Sequence, residues 1–295
     1  MRPTDLPRLR DDHASAIQAG TYSGSDPRTE ARLIRAAGLW WVSPAMTSLA
    51  SGAADTIPEW TPAEAVPSPT GLLWWDGDLP LVPLQQAPVS TWRPDNTGRM
   101  TAPTGPVRAV LWVRDGDAVE VQVHTHSGHL TDPAGQLLTW PGPPGLVPVA
   151  TARLEVVDGQ PRIIVPRDAG AVDWISDLVA LLGATWILMR EPLVAQTRAL
   201  REPPRQGRAV GRKAKRPAVI TVDARPAAPR EQHADTTVEP SPERRPPARH
   251  LVTGHWRRVA TGPGGTRRIL RWIPPHMRGD GDPAPPADRV RVWRR

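Results

Sequence analysis

Val107-Arg-Ala-Val-Leu-Trp-Val-Arg-Asp-Gly-Asp-Ala-Val-Glu-Val-Gln-Val123 reads as two strands, Val107–Arg114 and Ala118–Val123, reversed at Asp115-Gly116. Asp-Gly between two β-branched runs is a strong short-range hairpin signal, because glycine supplies the positive φ that a tight turn demands. Outward from this hairpin, Gly71–Trp75 and Leu79–Leu84 are further strand candidates on the N-terminal side. On the C-terminal side, Leu154–Val157 and Arg162–Val165 form a second hairpin turned by Asp158-Gly159. Helical signals bracket these strands. Leu33, Ile34, Ala37, Trp40 and Trp41 make one apolar face over Pro27–Trp41, with Asp26 as cap and Pro27 in the first turn. A second short helix is expected over Pro44–Ala54, capped by Ser43. The strongest helix is expected over Asp173–Met189, where Ile175, Leu178, Val179, Leu182, Trp186 and Met189 follow the 3.6-residue period. The fold class expected is α+β: helices flanking short antiparallel strands, then a Pro-rich linker and a C-terminal β-hairpin module.

Charge divides the 295 residues unevenly. Residues 1–197 carry 14 basic and 21 acidic side chains, and residues 198–295 carry 23 and 9, so a net +7 conceals an acidic part and a strongly basic one. Three regions are expected: an acidic α+β domain at 1–197, a basic Pro-rich linker at 198–247, and a basic C-terminal module at 248–295. The linker reading rests on nine prolines between Pro203 and Pro247. One island within it, residues 217–223, alternates like a strand. In the C-terminal module, Leu251–Ala260 and Arg267–Ile273 are strand-like around Gly262-Pro-Gly-Gly265, and a last strand is expected over Arg289–Trp293.

The chain has no Cys, which excludes disulfide frameworks, thiolate metal sites and cysteine nucleophiles. Lys213 and Lys215 are the only lysines, a bias that fits a GC-rich coding sequence and lowers the weight of any single arginine. The 13 tryptophans, with no Phe, must supply most of the aromatic area of the core. The longest apolar run, Leu178 to Met189, falls short of the roughly 20 residues a membrane span needs. With no secretory signal read at Met1–Asp12, a cytoplasmic location without membrane association is expected. Walker, G-x-G-x-x-G, H-E-x-x-H and G-x-S-x-G patterns are absent, and no cofactor is implied.

The densest chemistry lies in the basic module. Arginine forks match phosphate oxygens and indoles offer stacking faces, so Trp256, Arg257, Arg258, Arg268, Arg271, Trp272 and Arg278 are candidate nucleic-acid contacts. His255 and His276 are a candidate acid–base pair for a metal-independent endoribonuclease, with Arg257 and Arg278 as phosphate clamps. An acidic protein partner is the third reading of the same charges. His124-Thr-His126-Ser-Gly-His129 is similar to the H-x-H-x-D-H run of metallo-β-lactamase-like hydrolases, but Gly128 stands at the aspartate position. An exposed polar turn is the favoured reading there, and no metal site is expected.

Four segments carry a family resemblance: Arg216-Pro-Ala-Val-Ile-Thr-Val-Asp-Ala-Arg225, Thr253-Gly-His-Trp-Arg-Arg258, Trp272-Ile-Pro-Pro-His-Met-Arg-Gly-Asp280 and Val290-Arg-Val-Trp-Arg294. With Gly38-Leu-Trp-Trp-Val-Ser-Pro44 and Pro58-Glu-Trp60, they resemble an uncharacterised family of phages and mobile elements in high-GC bacteria. His250, upstream of the Gly-His-Trp-Arg run, also resembles a residue common in that family. The resemblance spans two stretches, about a third of the chain. It implies a setting of mobile DNA in the bacterial cytoplasm and supplies no mechanism.

Overall fold

The computed structural model describes residues 1–21, 26–85, 87–157, 160–164, 174–191, 194–200, 218–225, 250–252, 254–261, 263–273 and 276–278. It divides into two compact units, Met1–Arg225 and Pro226–Arg295.

The first unit begins with α1 (Leu6–Gln18) and α2 (Pro27–Ala36), followed by β1 (Gly38–Val42), α3 (Pro44–Ala54) and a single turn, α4 (Pro62–Ala65). The strands β2 (Thr70–Trp75), β3 (Leu81–Pro83), β4 (Arg93–Pro94), β5 (Met100–Thr101) and β6 (Thr104–Pro106) come next. The hairpin expected at Asp115-Gly116 is β7 (Ala109–Asp115) with β8 (Ala118–His126), and Gly116 has the positive φ, 61°, that the turn requires. Then come β9 (Leu146–Val157), β10 (Gln160–Ile164), α5 (Trp174–Leu188), β11 (Ala195–Leu200) and β12 (Val219–Ala224). Eight strands form one mixed sheet in the order β10-β9-β8-β7-β2-β1-β12-β11. Its pairs are antiparallel except around β1, which runs parallel to both β2 and β12.

Helices cover both faces of this sheet. Along β2, Leu72 and Trp74 join a core with Leu6, Ile17 and Ile34 of α1 and α2. On the opposite side of the same strand, the Trp75 indole donates to the Thr185 hydroxyl of α5 at 3.2 Å. Alternation along β7 repeats the division: Leu111 belongs to the first core, while the Trp112 ring lies 5.4 Å from Trp186 of α5. Asp26 and Ser43 cap α2 and α3 as expected, accepting from the Thr29 and Met46 amides.

Within the first unit, the readings of Pro27–Trp41 and of residues 217–223 change. The helix expected over Pro27–Trp41 stops at Ala36, and Gly38–Val42 is a central strand. Leu39, Trp41 and Val42 are buried because neighbours cover both sides of a parallel strand, so its apolar run has no period of 2. The strand expected at 217–223 is β12, a sheet member between β1 and β11 rather than an island in a linker. Its buried Val219, Thr221 and Val222 fill a slot in the sheet, which carries the first unit to Arg225. The Asp158-Gly159 turn and the strand expected at Arg289–Trp293 lie outside the described residues.

The second unit contains β13 (His250–Val252), β14 (His255–Thr261), β15 (Arg267–Ile273) and β16 (His276–Arg278). β14 pairs antiparallel with β15, and β13 with β16, and both pairs keep one register. The single strand expected over Leu251–Ala260 is therefore two segments. In the sequence, Pro274 and Pro275 separate β15 from β16, and neither has an amide hydrogen to give a ladder. At the tip, Gly264 and Gly265 hold φ of 67° and 68°, a conformation that side chains resist.

Candidate nucleic-acid interface

The register of the β14–β15 ribbon assigns its faces. Trp256 stands opposite Trp272 and Arg258 opposite Leu270, with Ala260 opposite Arg268. These positions share one face, on which the Trp256 and Trp272 rings meet edge to face at 5.1 Å. His255 stands opposite Ile273 and Arg257 opposite Arg271, on the other face. The arginines of this hairpin thus divide between two faces instead of gathering on one. Arg257, Arg258 and Arg268 are exposed, Arg271 is half-buried, and Trp272 is buried with its partner Trp256 half-buried.

Arg257 and Arg271 stand directly across the ladder from each other. The four strand segments contain six arginines and no Asp or Glu. Arg278 pairs with His250 at the outer end and is exposed. Of the two candidate catalytic histidines, His255 lies on β14 and His276 on β16, in different paired segments of the ribbon. His255 is exposed, and the His276 side chain lies outside the described residues.

The segment from His124, expected to be an exposed polar turn, is largely interior: β8 continues through His126, and Thr125 and Ser127 are buried. His124 is fully buried and meets His13 of α1 edge to face at 4.8 Å. Burial, reinforced by the neighbouring His13, holds the His124 imidazole well below its ordinary pKa. Burial likewise lowers His13, from 6.5 to about 4. His126 pairs instead with Trp74 and with His129, the ring centroids 5.9 and 5.1 Å away, and its Nδ1 accepts from the Gly128 amide. Burial and then the adjacent His129 bring His126 to about 4. Among the described residues, no group of three or more His, Asp or Glu is placed to hold a metal ion. Sequence reasoning missed His13 altogether, because a histidine in an Arg/Asp-rich segment gives no local sign that it faces a core.

One segment of the chain matches a described family. Residues 180–277, from within α5 into β16, match a family model described as AcrVA2-like, the anti-CRISPR type V subtype A2 family. The match spans about a third of the chain and contains β11, β12 and most of the ribbon. The solved crystal structure of AcrVA2 is similar at 11% sequence identity and a TM-score of 0.31, covering 94% of this chain and 86% of that one. No curated protein matches. Among the described residues, no helix is long and apolar enough to cross a membrane.

Proposed function

We propose that this is a protein of a phage or other mobile element that counters a type V CRISPR system in the bacterial cytoplasm, and that its basic ribbon binds nucleic acid. The family description over residues 180–277 supports the setting. One observation carries the binding role: a ribbon of six arginines and no carboxylate, with Arg257 facing Arg271 across the ladder. Guanidinium forks match phosphate oxygens, and counterion release from the polyanion favours the complex. Trp256, half-buried beside Trp272, offers an indole surface for a base.

Titration of the full chain with single-stranded RNA and with DNA, from roughly 50 to 200 mM salt, tests this reading. Affinity is expected to fall steeply with salt. Replacing Arg257 and Arg258 by Ala should weaken binding and flatten the log–log salt slope by about 1.4 for single strands. Absence of salt-sensitive binding removes the nucleic-acid role. Tight, salt-sensitive binding to an acidic protein of a type V system, with none to RNA or DNA, would transfer the ribbon to a protein partner.

A further inference from the structure

The first unit contains a cavity of about 650 Å³, bounded by α1, α2, β8, β9, Leu84 and the segments at 87–90 and 140–142. Glu30 of α2 is the only charged side chain among its described lining residues. The Gln122 side-chain amide donates to Glu30 Oε1 at 3.0 Å, a bond between α2 and β8. A carboxylate has about four acceptor sites and an amide oxygen two, so Glu30 and Gln122 together retain acceptor capacity beside the cavity. Trp140, Pro88, Pro141 and Pro148 provide flat apolar walls. Gly142 leaves room for the Trp140 ring, since a Cβ there would come within 2.5 Å of its Nε1.

These features select a chemistry. Neighbouring acceptors, one of them anionic, suit a cation with several N–H donors in a plane. A guanidinium meets that demand with paired hydrogen bonds and stacks on indole, whereas an ammonium is a compact, strongly hydrated point charge. Glu30, the one charged side chain among the described lining residues, favours a cationic group on the partner. The cavity also exceeds one side chain, leaving room for the residues that flank it.

We propose that this cavity receives an arginine side chain presented by a partner protein, with Glu30 and Gln122 gripping the guanidinium and Trp140 stacking on it. The site is independent of the basic ribbon, so either can fail without the other.

Calorimetric titration of the full chain with acetyl-Pro-Arg-Pro-amide tests it, with acetyl-Pro-Lys-Pro-amide and guanosine as comparison probes. The arginine peptide should bind saturably and at least tenfold more tightly than the lysine peptide. Glu30→Gln, which preserves shape and the bond to Gln122 while removing the charge, should weaken arginine-peptide binding at least tenfold with an unchanged melting temperature. Trp140→Leu should weaken it as well, and a second readout, perturbation of the Trp140 indole N–H resonance, places the peptide in this cavity. The proposal is overturned if the arginine peptide fails to bind at millimolar concentration. Equal binding by the Glu30→Gln protein or by the lysine peptide overturns it too, as does preferential binding of guanosine.

Discussion

His13 shows how a single buried side chain makes the molecule sensitive to acid. Its imidazole packs against His124 beneath α1, and burial lowers its pKa from 6.5 to about 4. Between those values the unfolded chain takes up a proton that the folded chain refuses. Stability is therefore fully present above about pH 6.5 and is lost as pH falls toward 4. For His13 alone the loss amounts to about 3 kcal/mol over that window. Urea denaturation at pH 7, 5.5 and 4 should show the decline, and His13→Leu should make the acid limb shallower. An unchanged limb in that variant would mean that His13 does not govern it. Nothing at the sequence level betrays this role: Arg10, Asp11 and Asp12 precede His13, yet Arg10 is itself buried, with its guanidinium held by Asp11 and the Ala37 carbonyl.

At the scale of elements, the central strands depend on close packing between glycine and tryptophan. Gly71 in β2 lies under the Trp112 ring of β7, and a Cβ there would stand 2.1 Å from Trp112 Cζ2. The ring has no freedom to yield, since its indole N–H donates to the Ser68 carbonyl at 2.8 Å and its face meets Trp186. Gly71→Ala should accordingly destabilise the protein by about 1–3 kcal/mol, read from the denaturation midpoint. At the far end of the chain, Gly264→Ala should cost the ribbon about 1 kcal/mol through its left-handed backbone, measured by hydrogen exchange of the β14–β15 amides.

The same elements show what the sequence could disclose. The β7–β8 hairpin is legible because Glu120 and Gln122 alternate with buried valines along β8 and the Asp-Gly turn is local. Helix α5 is legible from the length of its apolar run, although Leu181 to Trp186 are all buried and the helix has no single inward stripe. By contrast, Leu39 to Val42 continues the apolar pattern of α2 without a break in composition, and only Gly38 marks the change from helix to strand. Helix α1 is hidden because Arg10 and His13 occupy inward positions, which interrupts the apolar period that Leu6, Leu9 and Ile17 would otherwise display. The ribbon residues were visible as a composition, but which of them share a face depended on a pairing register that residue spacing alone does not contain.

For the whole molecule, charge and fold divide the chain at different places. The charge changes sign near residue 197, but the first compact unit continues to Arg225, because β12 occupies the slot between β1 and β11. A fragment of residues 1–197 would leave the buried, apolar β1 with an open edge. It should aggregate on expression, whereas a fragment ending at residue 225 should be soluble and show a cooperative thermal transition. Equal solubility of the two fragments would show that β12 is dispensable.

This arrangement also sets an order of events during synthesis. Strand β1, made early, lies beside β2 at once but waits almost two hundred residues for its other neighbour. The ribosome must release everything up to Ala224 before the sheet can close, so any nonsense mutation upstream of that codon removes the whole first unit, not merely its basic appendage.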